Sequence, residues 1–208
     1  MFIRRLSETF RIDEPIFSEE IIGLFPEYSR VQIFRYIEKA KKNKEIVQFS
    51  RGVYYLPHTT FWGTLSTITA DSVIAKRYVS YQRGRYGVYS GIKLLNSFSV
   101  TTQMPAVIEI VTNNETMRRR EIELNGRRFI LRKSRTEITE ENYAAYTVLQ
   151  LFHDIDDGEV QSGSFQSRLL AYIREQKVTG EQLSDMASAF PAKAAKNMIR
   201  SGILYEIA

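Results

Sequence analysis

The stretch from Ser18 to Leu56, SEEIIGLFPEYSRVQIFRYIEKAKKNKEIVQFSRGVYYL, constrains the fold most tightly, because its punctuation leaves few ways to divide it. Ser18 is placed to N-cap a short helix, with Phe17 before it and Ile22 after it as a hydrophobic staple. Pro26 ends that helix, since a ring without an N–H cannot continue it. Ser29 opens a second helix. Gln32 follows at capping-box spacing, and Tyr28 with Ile33 is the matching staple. Two helices are therefore joined by a very short turn, as a helix-turn-helix requires.

The second helix has two faces. Ile33, Ile37 and Ala40 recur at helical spacing and point to a core, while Gln32, Arg35, Lys39 and Lys42 fall on the other side, with Phe34 and Tyr36 at the borders. After a basic run ending at Lys44, residues 45–49 alternate like a strand, Ser50-Arg51-Gly52 makes a turn, and residues 53–56 make a second strand closed by Pro57. A hairpin directly after a basic helix is a wing, with Arg51 at its tip. A basic helix face is ordinarily no more than a solvated face. Here the capped helix pair, the basic outer face and the Arg-tipped hairpin follow in the right order, which favours a DNA-binding module over a purely structural one. The expected DNA contacts are Ser29, Arg30, Gln32, Arg35, Lys39, Lys42 and Arg51. Gln32 and Arg35 are assigned to base edges, and Lys39, Lys42 and Arg51 to phosphates.

Length allows one or two domains in 208 residues, and 43% hydrophobic with 25% charged residues is ordinary for a globular chain. No apolar run approaches a membrane span, and MFIRRLSETFRI lacks a signal-peptide core, so a cytoplasmic location is expected. With no cysteine, disulfides, thiolate metal sites and cysteine nucleophiles are excluded. The net charge of +5 clusters at 30–51, 76–85 and 118–135 and suits a DNA partner.

Elsewhere the pattern predicts a first helix over residues 1–10 and a turn at Asp13-Glu14-Pro15. His58 and Trp62 are expected to pack between modules. A helix should start at Thr69 or Asp71 and run to Tyr78, and another should span Tyr89–Phe98. The mixture of Tyr78, Tyr81, Arg83, Arg85, Tyr86 and Tyr89 has the composition of a base-stacking surface, but a core edge is the better reading. AVIEIVT reads as a strand, and RREIELNGRRFILRK as two strands around a type I′ Asn125-Gly126 turn, so residues 106–133 should form a small antiparallel sheet. Helices are expected from Thr139 to about His153, over Ser164–Gln176, from a Thr179–Gln182 capping box, and from Pro191 to near Gly202, with ILYEI as a terminal strand. The predicted class is α+β: a winged helix-turn-helix over residues 1–60, then an α+β domain over 61–208 with a small antiparallel sheet and C-terminal helices.

RGVYYLP closing the wing, YGVYSGIKLLNSFSVTTQMPAVIEIVTNN and the NGRRFILRKSRTEIT hairpin together resemble the AbiEi-type antitoxins, and more narrowly the DUF6088 subgroup. The resemblance covers most of the chain and is densest at 50–153. It implies a transcriptional regulator of a type IV toxin–antitoxin system. The N-terminal winged domain would bind inverted repeats in its own promoter, and the C-terminal domain would oppose a nucleotidyltransferase toxin. A free-standing winged-helix regulator without a toxin is the alternative.

An enzyme is not expected. The two histidines, His58 and His153, are far apart and have no second ligand at metal spacing. Phosphate-binding glycine loops and a nucleophile elbow are missing from the sequence. Neither a cofactor nor a metal is expected. One catalytic arrangement is a minor alternative: Glu109, Glu121 and Glu123 on adjacent strands with Lys133 nearby are the residue types of a metal-dependent nuclease. Ordinary cross-strand pairing explains the same residues more simply.

Overall fold

The computed structural model describes residues 1–82 and 84–206. Among them the chain is a mixed α and β structure with ten helices and three small sheets. It divides into two compact units, Met1–Lys76 and Arg77–Ala208.

The first unit opens with α1 (Phe2–Thr9), which buries Leu6. A two-residue strand follows, β1 (Ile16–Phe17), and leads straight into α2 (Ser18–Leu24). Ser18 is thus the first helical residue and Phe17 the cap, one position earlier than the sequence suggested. The cause is tertiary: Phe17 pairs with Val53 in a sheet, so the chain is still extended there. The Glu20 carboxylate accepts the Phe17 N–H at 2.7 Å, which satisfies an otherwise orphaned donor. Next come α3 (Arg30–Lys42), β2 (Val47–Ser50) and β3 (Val53–Tyr55). The strand order is β1-β3-β2, all antiparallel. The core joins Leu6, Ile16, Ile21, Phe25, Ile33, Ile37 and Ile46 with Tyr54. Each of these large apolar side chains contributes about 1.5–3 kcal/mol by leaving water.

Beyond β3 the chain forms a short looped hairpin closed by a Thr59–Leu65 bridge. Its tip carries Trp62, 84% exposed, and Phe61, 95% exposed, packed edge-on against each other. The Thr60 N–H donates to Thr64 O at 2.8 Å across the tip. His58 is held by Asp13, its Nδ1 lying 2.7 Å from Oδ2. The division between units falls within α4 (Ala70–Tyr78), not near residue 60. Buried Lys76 ties the helix to the first unit: its Nζ donates to Glu14 Oε1 at 2.9 Å and to Pro15 O at 2.7 Å, and pairs with Glu20 Oε1 at 2.8 Å.

In the second unit, β4 (Ser80–Tyr81) and β5 (Gly84–Arg85) form a minimal hairpin, and Arg83 lies outside the described residues. Tyr78 is buried, and Tyr81, Tyr86 and Tyr89 are half-buried, as at the edge of a core. The segment expected to be helical from Tyr89 begins as a strand, β6 (Gly87–Ser90), and becomes α5 (Gly91–Ser97) afterwards. A Cβ at Gly87 would lie 2.0 Å from Tyr78 O and 3.0 Å from Val111 O, so only glycine fits there. β6 pairs antiparallel with β7 (Val107–Thr112). β8 (Arg120–Leu124) and β9 (Arg127–Lys133) form the expected antiparallel hairpin, with Asn125 and Gly126 both at positive φ (48° and 76°), as a type I′ turn demands.

The sheet over 106–133 is not wholly antiparallel, however. β7 runs parallel to β9, and the order is β6-β7-β9-β8. β9 takes the interior place because it carries the buried Phe129 and Leu131. The Glu- and Arg-rich β8 sits at the edge.

The helix expected from Thr139 starts later, as α6 (Tyr143–Asp154). Asn142 Oδ1 accepts the Thr139 N–H at 2.9 Å and its Nδ2 donates to Glu137 O, so residues 139–142 form a turn first. α6 is buried nearly all round and is the axis of this unit. α7 (Gly163–Gln176), α8 (Gly180–Ala187) and α9 (Ala192–Ser201) contribute Phe165, Leu169, Leu183 and Met198 to the core that also takes α6, Val88 and Val111. Thr179 and Gln182 form the expected capping box, and Pro191 caps α9 from one position outside it. Buried Asn197 donates from Nδ2 to Phe152 O at 3.0 Å and Ile155 O at 3.3 Å, satisfying carbonyls at the end of α6. The expected terminal strand is a helical turn, α10 (Ile203–Glu206), with Ile203 buried; residue 207 lies outside the described residues.

Candidate nucleic-acid interface

α3 begins with the capping box that its sequence announced. Gln32 N–H donates to Ser29 Oγ at 3.3 Å, and Gln32 Oε1 accepts Ser29 N–H at 2.9 Å. Both side chains are exposed yet occupied by the cap, and Gln32 Oε1 takes the Ser29 hydroxyl as well. Arg30 lies at the border of the helix, its guanidinium 5.8 Å from the centre of the Phe34 ring.

The outer face is different. Ile33, Ile37 and Ala40 are buried, and Arg35, Lys39 and Lys42 are exposed on the opposite side. None of these three cations has an ion pair among the described residues. Glu38 also faces out, but Lys41 neutralises it at 2.8 Å. Lys41 Nζ donates in addition to Gln48 Oε1 at 2.7 Å, which ties the end of α3 to β2. Sequence reasoning did not single out Lys41; only the folded pairing separates it from Lys39 and Lys42. Tyr36 packs against Phe2 at 5.5 Å and Tyr28 at 5.3 Å, fixing α3 to its neighbours.

The hairpin after α3 is held as firmly. Gly52, at φ +75°, allows the tight turn, and its carbonyl accepts both the Ser18 N–H at 2.9 Å and the Ser18 hydroxyl at 3.2 Å. The tip is thereby bonded to the first residue of α2, with Arg51 exposed beside it. Val31 was overlooked in the sequence. It is 63% exposed on the outer side of α3, one turn before Arg35. Its signal is an apolar residue out of phase with Ile33, Ile37 and Ala40.

The later basic residues are largely spoken for. Arg119 pairs with Glu121, Arg120 with Glu115 at 3.7 Å, and Arg132 with Glu109 at 3.0 Å. The residues of the nuclease alternative are not gathered. Glu109 and Glu121 flank Ile130 from opposite sides, with β9 between them. Among the described residues, no group of three or more His, Asp or Glu is placed to hold a metal ion. Among them, too, no helix is long and apolar enough to cross a membrane. No protein-family model matches this chain, and none of the curated proteins compared with it matches either.

Proposed function

We propose that the first unit is a winged helix-turn-helix that binds double-stranded operator DNA, and that the chain is a cytoplasmic transcriptional autoregulator. The observation that carries this reading is the outer face of α3. Arg35, Lys39 and Lys42 stand exposed and without ion pairs among the described residues, while the neighbouring acid Glu38 is neutralised by Lys41. A face kept positive in this way attracts a polyanion. The element order helix, strand, helix, helix, strand, strand, with β1 closing on β3, supports the winged reading. α3 is then the helix that enters the major groove, and Arg51 on the wing meets the backbone. Gln32 contributes less to base reading than Arg35, because its carbonyl oxygen is committed to the cap.

The test is a gel shift with the chain's own upstream DNA against a scrambled duplex. Arg35→Ala should cost about 1–3 kcal/mol on the operator and relax preference at one base pair. Equal weakening on both duplexes would remove Arg35 from base reading.

The resemblance to AbiEi-type antitoxins carries the second half of the proposal, that the chain also opposes a nucleotidyltransferase toxin. A full-length variant lacking Arg35, Lys39 and Lys42 should then lose repression and still rescue cells that express a cognate toxin. Rescue lost together with repression, under an unrelated promoter, would refute the division of labour. A regulator that rescues nothing is the free-standing form.

A further inference from the structure

The second unit holds a cavity of about 590 Å³, walled by the ends of β6, β7, β9 and α6. That is the size of a small-molecule site, for which about 300–1,000 Å³ is usual. Its acids are already satisfied by the protein. Asp154 Oδ2 accepts the Gly91 N–H at 2.7 Å and the Ser90 hydroxyl at 2.9 Å, and its Oδ1 accepts from Gln150 Nε2 at 2.8 Å. Glu109 Oε2 accepts twice from the Arg132 guanidinium, at 3.2 and 3.0 Å.

The cations are not balanced in the same way. Arg135 is fixed by its Nη1 bond to Gln150 Oε1 at 2.9 Å and by the Phe190 ring 4.9 Å away, which leaves further N–H groups of its fork to give. Arg118 and Lys133 also line the cavity, are exposed, and have no ion pair among the described residues. Four cationic side chains therefore face two carboxylates that are already hydrogen-bonded. His153 lines the cavity as well, with its Nδ1 buried away from solvent. Burial, and then Arg135, hold its pKa below the usual histidine value, so it adds little positive charge to the cavity near neutral pH.

We propose that this cavity binds a small phosphate monoester, the phosphate held by Arg118, Lys133 and Arg135. The surplus of two positive charges matches a phosphate dianion. Guanidinium forks suit its oxygens. The volume beyond the phosphate accommodates the sugar or nucleoside that carries it. This site is separate from the DNA-binding reading and does not depend on it.

Calorimetry on the full chain tests the proposal with inorganic phosphate, ribose 5-phosphate, AMP and adenosine. Saturable binding of AMP or ribose 5-phosphate, and none of adenosine, is expected. Inorganic phosphate separates the two sources: if it binds more tightly than both esters, a free anion and not a monoester is the ligand, and the proposal fails. Arg118→Ala with Lys133→Ala should weaken ester binding about tenfold or more, with an unchanged melting temperature of the unliganded protein. Glu109→Gln removes a charge that opposes the ligand and should tighten binding severalfold, which a merely misfolded cavity would not do. Absence of saturable ester binding or an unaffected double variant would overturn the assignment.

Discussion

Removing Lys39, Lys42 and Arg51 together is the sharpest test of how the first unit docks on DNA. All three side chains are exposed and have no ion pair among the described residues, so their loss costs the fold little. Each phosphate contact releases condensed counterions and contributes about 0.9 to the slope of log affinity against log salt. Three contacts therefore amount to about 2.7 units of slope. Raising salt from about 50 to about 200 mM should then cost the parent chain about fortyfold more affinity than the triple alanine variant. Fluorescence anisotropy on the operator and on a scrambled duplex, each across that salt range, measures both slopes. The variant should lose slope equally on the two duplexes, because phosphates carry no sequence information. Lys196→Ala is the internal control, since that lysine is paired with Asp157 in the second unit. An unchanged slope in the triple variant would refute docking through the α3 face and wing. A slope reduced only on the operator would show that these cations read bases.

Val31, exposed one turn before Arg35, should contact a thymine methyl if α3 lies in the major groove. Replacing operator thymines by uracil one at a time should weaken the parent at one position, and Val31→Ala should abolish that sensitivity; a parent indifferent to every replacement would remove Val31 from the interface. Lys76→Ala leaves the carboxylates of Glu14 and Glu20, partly buried around its Nζ, without their cation. Its cost should approach about 3 kcal/mol in urea denaturation, whereas a loss near zero would mean that Lys76 is solvated and does not lock α4. Burial first, and then Arg135, lower the pKa of His153 from 6.5. The unfolded chain therefore binds the proton more readily, so stability is full above the unfolded value and declines as pH falls below it toward the lowered folded value. His153→Gln should flatten the urea midpoint between about pH 7 and pH 5; an unchanged pH profile would assign the acid sensitivity elsewhere.

Short-range features were legible in the sequence because their partners lie within a few residues. The Ser29–Gln32 and Thr179–Gln182 caps, the buried Ile33-Ile37-Ala40 stripe and the type I′ turn at Asn125-Gly126 all depend on spacings along one helix or across one turn. So did the exposure of Arg35, Lys39 and Lys42, which follows from their phase against that stripe. Tertiary structure decided whatever needed a distant partner. Ile16 and Phe17 become a strand only because Tyr54 and Val53 lie beside them, and that pairing moves the start of α2. β9 sits parallel to β7 because burial of Phe129 and Leu131 drives β8 to the edge. Residues 203–206 turn helical, against local expectation. Which cations stay unpaired was settled the same way. Lys41 finds Glu38 and Gln48, Arg132 finds Glu109, and Arg118 and Lys133 find no ion pair among the described residues. The cavity they line is assembled from residues between Ser90 and Pro191. Periodicity reports only the side of an element on which a side chain lies; its neighbours across the fold depend on long-range packing, which no local window contains.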